Sequence, residues 1–452
     1  MKIIIIGAGE VGFHIAEKLV GENIDVVVVE SDIDRLRQIE EQLDAQFVQG
    51  SGSSPDVLRK AGITSAEMVI AVSDKDEANI VACLVANHYS PSSVKIARVR
   101  NPAYINSPDV FKELNIDLFI NPEFEAAEKI ERLLEVPQAL DLIDFADGKV
   151  QLVGFRIDHD SMLANRKLFA FGDVVPNYTP LVAAIYRGLE VIVPRGADTV
   201  RAGDIVYFAT TPEKMNKLLR FVGKKAEPVQ RVIISGGTNT GLYLAKKLEK
   251  KGIVVRLIEQ SEKRCTYLAD QLTRTTVLHG DGKDSELLLQ ENITKMDAFI
   301  AVSKDAEDNI LSCLLAKSLG SKITITLSNR VDYSSLVTTI GIDSAVSPQL
   351  AAVSRIMRFV RQGRIASVEA IREKDAEGIE FVALESSDAV NKPLKSFKFP
   401  AGALVIAVVR GEEVIIPTGD TTMQPEDRVI IFASRKAISK VEKLFSVKLE
   451  YF

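Results

Sequence analysis

The sequence predicts an α/β chain with two doubly wound parallel sheets, each followed by a small α+β domain. Three observations predict it. One long module is written twice: KIIIIGAGEVGFHIAEKL…DVVVVE, from Lys2 to Glu30, returns as RVIISGGTNTGLYLAKKL…VVRLIE, from Arg231 to Glu259. In each copy, short apolar runs rich in β-branched residues alternate with stretches whose apolar residues recur at helical spacing, the pattern of parallel strands and crossover helices. A second, shorter module is also written twice, from Val182 and from Val405, each time behind a copy of the first.

The elements follow in chain order. Ile3 to Ile6, Val26 to Val29 and Met68 to Val72 read as strands buried on both faces, and Val11, Ile15 and Leu19, or Leu244 and Leu248, as helix faces packed on a sheet. Aligning Gly12 with Gly241 brings Glu30 onto Glu259. FVQGSG (47–52) then meets VLHGDG (277–282), and IAVSDKDEANIVACLVA from Ile70 meets IAVSKDAEDNILSCLLA from Ile300. The shorter modules, VAAIYRGLEVIVPRGADTVRAGDIVYFA and VIAVVRGEEVIIPTGDTTMQPEDRVIIFA, have strand runs broken by Arg-Gly and by Gly-Asp or Glu-Asp turns. The expected domains are 1–135, 136–222, 231–361 and 362–452, with the charged stretch 223–230 as a linker.

Composition limits the function. A net charge of −6 over 452 residues, without long basic runs, argues against holding nucleic acid by phosphate neutralisation or clinging to an anionic membrane. No apolar stretch approaches the roughly 18 residues of a membrane span and the start lacks a cleavable leader, so a cytoplasmic chain without direct membrane insertion is expected. Cys83, Cys265 and Cys313 make no CxxC pair and the four histidines no metal cluster. Cys83 and Cys313 fall at equivalent positions in apolar helical runs and read as packing residues.

The chemistry is concentrated at the glycine turns. Gly7, Gly9 and Gly12, with Ala8, Glu10 and Val11 between them, form GxGxxG between a strand and a helix. The first glycine permits the turn, the second lets a pyrophosphate approach the backbone, and the third allows helix-to-strand packing, while helix-start amides face the phosphates. Glu30, ending the next strand, is placed to accept from ribose hydroxyls and disfavours a 2′-phosphate, which points to NAD(H), ATP or ADP and away from NADP. Ser73 and Asp74 end the fourth strand, and Arg98 in the following strand offers planar charged donors to phosphate or a surface ion pair.

The second copy, with Gly236, Gly237, Thr238, Asn239, Thr240 and Gly241 in its turn and Glu259 beyond, departs from this. Thr238 replaces the middle glycine, Thr326 stands about where Arg98 would be, and Asp281 follows Gly280 where the first copy has Ser51. The two sites are expected to differ. Neither copy shows an acid or base placed for turnover, so binding is favoured over catalysis, with an NAD-dependent oxidoreductase as the alternative. The shorter modules read as interaction or assembly domains; a small regulatory ligand there is the competing reading. The runs Ile80 to Ala86 and Ile310 to Ala316 are apolar nearly all round, as expected of helices buried either across domains or in their own core.

GAGEVG with Glu30, ARVRNPAY, the DEAN and AEDN helix starts and the duplicated Arg-Gly turn domains together resemble the TrkA family, built of RCK (also called KTN) domains. The resemblance covers nearly the whole chain. It implies a Rossmann-like RCK N domain and an α+β RCK C domain, each twice. It also implies a cytosolic regulatory subunit without enzymatic activity, which binds NAD(H), and in some members ATP and ADP, on the inner face of an integral membrane Trk-type potassium transporter and assembles as a homotetramer. Binding then falls on Gly7 to Val11, Glu30, Ser73, Asp74 and Arg98, and on Gly236 to Thr240 and Glu259.

Overall fold

The apolar β-branched runs form the central strands of two parallel sheets. The computed structural model describes residues 1–445 except 23, 106–112, 137–138, 176–177, 189, 225–227, 329–336, 338, 362–366, 372–375, 386, 388–389 and 397–398. The expected linker 223–230 therefore lies partly outside the described residues. The chain divides into two compact units, Met1–Glu128 with Ser347–Met357, and Lys129–Val346 with Arg358–Phe452.

In the first unit, β1 (Lys2–Ile6), α1 (Glu10–Gly21), β2 (Asp25–Glu30), α2 (Ile33–Glu40), β3 (Gln46–Gln49), α3 (Pro55–Lys60), β4 (Met68–Ala71), α4 (Asp76–Tyr89), β5 (Val94–Arg98), α5 (Pro102–Ile105) and β6 (Leu118–Ile120) alternate, and α6 (Pro122–Glu135) follows. The sheet order is β3-β2-β1-β4-β5-β6. Every pairing is parallel; Ile3 stands beside Val26 on one side and Met68 on the other. Ile3, Ile4 and Ile5 are completely buried because helices cover both faces. The strand order reverses between β1 and β4, and ligands of such sheets sit beyond the carboxyl ends of the strands at that crevice.

The second unit repeats this with β12 (Arg231–Ser235), α8 (Asn239–Lys250), β13 (Val254–Glu259), α9 (Glu262–Gln271), β14 (Thr276–His279), α10 (Ser285–Gln290), β15 (Ala298–Ala301), α11 (Ala306–Ser318), β16 (Ile323–Leu327) and β17 (Ser344–Val346), the strands in the order β14-β13-β12-β15-β16-β17. Two five-stranded antiparallel sheets belong to the same unit: β7 (Asp141–Phe145), β8 (Val150–Arg156), β9 (Leu181–Arg187), β10 (Glu190–Ile192) and β11 (Ile205–Thr210), ordered β10-β9-β11-β8-β7 and followed by α7 (Met215–Phe221), and β18 (Ser367–Ile371), β19 (Ala376–Val382), β20 (Ala403–Arg410), β21 (Glu413–Ile415) and β22 (Arg428–Ser434), ordered β18-β19-β22-β20-β21. Parallel and antiparallel sheets thus alternate along the chain, as the two modules predict.

The Arg-Gly and Asp turns of the shorter modules are tied together. Arg187 makes a two-pronged pair with the buried Asp204 at 3.0 and 2.8 Å, and Arg410 does the same with Asp427 at 2.9 and 2.8 Å. The two antiparallel sheets share one core in which Phe145, Tyr186 and Tyr207 meet Ile406, Ile430 and Phe432. A Cβ at Gly378 would come within 2.4 Å of the Phe145 ring.

A charged pair locks this core. Ala146 and Asp147 take left-handed φ of 51° and 56°, which costs a residue with a Cβ, and the turn is held from the other sheet. Glu380, 0 % exposed, accepts from Ala146 N at 3.0 Å and from Arg428 Nε, while Arg428 Nη1 reaches Asp147 Oδ2 at 2.6 Å. Elsewhere in the unit, the end of α6 docks on α8 (Asn239–Lys250): Glu131 pairs with Lys247 at 3.1 Å and Lys251 at 2.8 Å. Glu380→Ala leaves a buried amide and Arg428 short of an acceptor, so it is expected to destabilise the paired sheets by about 1–3 kcal/mol. Calorimetry should show a lowered transition midpoint for the second unit, with the first unit's transition unmoved.

Candidate functional site

Steric fit shapes both glycine turns. Gly7 has φ 99°, and a Cβ there would lie 2.7 Å from Ser73 N; a Cβ at Gly12 would lie 1.9 Å from the Gly7 carbonyl oxygen. These two glycines are required by the protein's own packing. Gly9 is different: a Cβ there would meet nothing nearer than Arg35 Nη1 at 3.7 Å. Packing does not demand a glycine at this helix cap, but close approach of a ligand to the backbone would. The first turn of α1 has no side-chain cap, so its amides face outward without a side-chain acceptor.

Glu30 does more than the sequence suggests. Its carboxylate, 8 % exposed, accepts from Ala8 N at 2.7 Å through Oε2, and from Ser31 N at 2.7 Å, Asp32 N at 3.0 Å and Ser31 Oγ at 3.1 Å through Oε1. It therefore clamps the glycine turn onto the end of β2. A carboxylate has about four acceptor positions, two on each oxygen, so the spare one lies on Oε2. Burial alone would raise its pKa, but the amides of Asp32, Ala8 and Ser31 outweigh burial and hold it below the usual carboxylate range.

Across the crevice, Asn79 on α4 fixes the ends of β4 and β5. Fully buried, it accepts from Ser73 N at 2.9 Å and Ser73 Oγ at 2.7 Å, and donates to the Ser73 and Arg98 carbonyls, both at 2.9 Å. Sequence reasoning missed it, although it is the last residue of the DEAN start and returns as Asn309 in AEDN. Asn309 repeats the arrangement, accepting from Ser303 N at 2.8 Å and donating to Leu327 O at 3.0 Å.

Arg98 is 7 % exposed and holds only long contacts, 3.4 Å to Val72 O and 3.5 Å to Asp74 Oδ1, while its Nε is buried with no hydrogen-bond partner among the described residues. Asp74 is also 3.5 Å from Arg100 Nη2. A buried cation with an unused donor at a crevice is what an anionic ligand would complete. Cys83 is on the buried face of α4, its thiol pushed up to about 12 by burial; Cys313 is its counterpart, fully buried with its thiol pushed up in the same way. Neither ionises near neutral pH.

The second copy keeps the frame and changes the contents. Gly236 and Gly241 reproduce the close approaches of Gly7 and Gly12, at 2.6 Å to Ser303 N and 2.2 Å to the Gly236 carbonyl. Gly237, opposite Ala8, sits where a Cβ would come 2.4 Å from Leu268. Glu259 accepts from Gly237 N at 2.7 Å and Ser261 N at 2.8 Å. Asn239 and Thr240 open α8, and Asp281 accepts from Lys283 N at 2.9 Å in the loop after β14 (Thr276–His279). One alignment is corrected. Ala97 pairs with Ala71 and Thr326 with Ala301, and the carbonyls bonded by Asn79 and Asn309 belong to Arg98 and Leu327. Leu327, not Thr326, therefore holds the Arg98 position, because the sequence before β16 (Ile323–Leu327) is one residue shorter.

The TrkA-N domain model matches residues 3–122 and 232–348, and the TrkA-C domain model matches 152–223 and 379–446. The chain belongs to the TrkA family. It is 40 % identical to the Trk system potassium uptake protein TrkA of Halomonas elongata and 38 % to that of Azorhizobium caulinodans, in each case over the full length of both chains. It is 39 % identical to TrkA homolog 1 of Methanosarcina mazei, over 98 % of this chain and all of that one. Among solved structures, the GsuK RCK domain shares the fold with a TM-score of 0.58 at 17 % identity, over 98 % of this chain and 94 % of that one. The GsuK channel bound to NAD also scores 0.58 at 17 % identity, over 98 % of this chain and 78 % of that one. The sequence-derived fold class of paired Rossmann-like and α+β domains is thus the fold of this TrkA-family chain.

The lowered pKa of Glu30 gives a pH signature. A group whose folded pKa is depressed contributes stability above its unfolded pKa and loses it as pH falls through the folded value. Glu30→Gln should therefore be less stable than the unsubstituted chain near neutral pH, and the gap should begin to narrow only as pH falls below 4.5, the ordinary carboxylate value. Denaturant unfolding of both chains across that range measures it.

Proposed function

We propose that this chain is the nucleotide-binding regulatory subunit of a potassium uptake system, with NAD(H) bound at the first glycine turn. The observation that carries this is the Gly9 position, a helix cap whose missing Cβ serves no internal contact, together with Arg98 at the end of β5, a buried cation with an unused donor. Family membership supports the potassium system. The GsuK channel structures bound to NAD and to ADP support NAD(H) as ligand, with ATP and ADP as competitors for the same turn. In this reading Gly7 to Gly12 and Arg98 meet the phosphates, Glu30 takes one ribose hydroxyl on Oε2 while holding the turn, and Ser73 and Asp74 line the opposite wall.

The relatives carry the names of transport proteins, which supports a binding role without turnover. No described helix is long and apolar enough to cross a membrane. We place the chain in the cytoplasm, docked on an integral membrane potassium transporter, with domains 1–135, 136–222, 231–361 and 362–452. Assembly with copies of itself, as a tetramer, is supported by the apolar outer faces of α4, where Val81 and Leu84 are exposed, and of α11 (Ala306–Ser318), where Leu311 is exposed at the position matching Val81. Asn79 connects these features, since it holds the Ser73 wall of the site and lies two residues before Val81 on α4. Nucleotide that prefers one arrangement of this wall shifts the assembly toward it, and such couplings are about 1–3 kcal/mol.

Calorimetric titration of the full chain with NADH, NAD, ATP and ADP is the test. Saturable binding that Gly9→Asp abolishes, by charge and steric conflict with pyrophosphate, is expected; unchanged binding in that variant would exclude the first turn. Equal nucleotide affinity in the free and transporter-docked protein would remove the regulatory role.

A further inference from the structure

The two turns share a backbone and differ in what fills them. Gly9 has φ −67° and ψ −178°; Thr238 has φ −66° and ψ 176°. The Thr238 hydroxyl donates to Val302 O at 2.7 Å and accepts from Gly241 N at 3.3 Å. It thus spans the crevice from the glycine turn to the end of β15 (Ala298–Ala301) and occupies a helix-start amide that the first copy leaves without a side-chain acceptor. A β-branched side chain held at both ends has no easy alternative rotamer.

A second brace comes from α9 (Glu262–Gln271). Arg264 Nε donates to Gly237 O at 2.7 Å and Nη2 to Asn239 Oδ1 at 3.2 Å, and its guanidinium lies 4.7 Å from the centre of the Tyr267 ring. Arg35 holds this position in the first copy, five residues after the acid, but is exposed beside Gly9. The cation that stands open at the first turn is, at the second, spent on the turn itself. With Leu327 in place of Arg98, the second crevice has neither the open cap nor the buried cation that fit a pyrophosphate.

We infer that the second glycine turn is a closed copy of the nucleotide site, shut by Thr238 and Arg264, so that each chain takes one dinucleotide, at the first turn. This deepens the function proposed above. The protein supplies the bonds a phosphate would otherwise make, which keeps the turn ordered without ligand. Because the backbone is unchanged, the closure is removable by side-chain substitution.

Calorimetry of the full chain with NADH reads the stoichiometry. One site per chain is expected, none in Gly9→Asp, and two in Thr238→Gly/Arg264→Ala; adding Gly9→Asp to that pair should leave one. Thr238→Gly alone, which keeps the Arg264 brace and a well-tolerated cap residue, should show a weaker second site, and the thermal transition of each variant reports whether it folds. Two sites in the unsubstituted chain, or one surviving in Gly9→Asp, would overturn the closure. Failure of the folded double variant to gain a site would overturn its assignment to these two side chains. No site in the unsubstituted chain with one in the double variant would instead overturn the reading of the first turn and leave the closure standing.

Discussion

The site depends on one close contact, helix against strand, at which Gly12 has no Cβ to strike the Gly7 carbonyl 1.9 Å away. That contact lets α1 start directly above the end of β1 and sets its amides at the crevice between β1 and β4. The Glu30 clamp follows from it, since the carboxylate reaches Ala8 N only if the turn is folded back this tightly. Gly241 imposes the same condition on the second copy, where a Cβ would lie 2.2 Å from the Gly236 carbonyl, and Glu259 clamps Gly237 in the same way. The frame is common to both copies because its requirements are steric and internal, whatever a ligand demands.

That separation explains how the copies diverge without loss of fold. Gly7, Gly12 and the acids serve the frame. Gly9, Arg35 and Arg98 do not, and those are the positions that change or are redirected in the second copy, to Thr238, a braced Arg264 and Leu327. A comparable asymmetry marks the antiparallel sheets. Glu380 on β19 (Ala376–Val382) stands beside Ile430, and the matching strand of the first module has Gly154 beside Tyr207. Glycine there makes room for the Tyr207 ring, whereas Glu380 reaches the 146–147 turn. The two sheets are similar in fold and complementary in contact, which suits pairing with each other within one chain.

Much of this was legible in the sequence for physical reasons. A parallel strand buried on both faces must be apolar throughout, and a turn that cannot bear a Cβ must be glycine, so strands, turns and the acid ending β2 were all readable. Asn79 was harder, because a buried polar residue in an apolar helical run shows its bonding only when strands distant in sequence are brought beneath it; its recurrence as Asn309 was the available signal. Thr326 was misplaced because one residue is missing between the preceding helix and strand, and registers across such a gap are set by hydrogen bonds. That α6 ends against α8 through Glu131 was also unreadable, since amphipathic periodicity identifies a buried face but not what covers it.

Asn79 satisfies two constraints at once, and this ties the crevice to the outer surface. Its amide saturates the backbone of Ser73 and the carbonyl of Arg98, so the crevice wall and the first turn of α4 cannot shift independently without leaving buried polar groups unpaired, at a cost of about 1–3 kcal/mol for each. That is comparable to the free energy with which bound ligands shift protein equilibria. In the function proposed above, a ligand seated on the Gly9 turn would meet a wall tied by Asn79 to α4, the helix that carries Val81 and Leu84. In the second copy the Thr238 hydroxyl joins the turn to the Val302 carbonyl, across the same crevice, so the corresponding wall is already fixed before any ligand arrives. The first crevice thus lacks a side-chain bridge of the kind that Thr238 makes across the second.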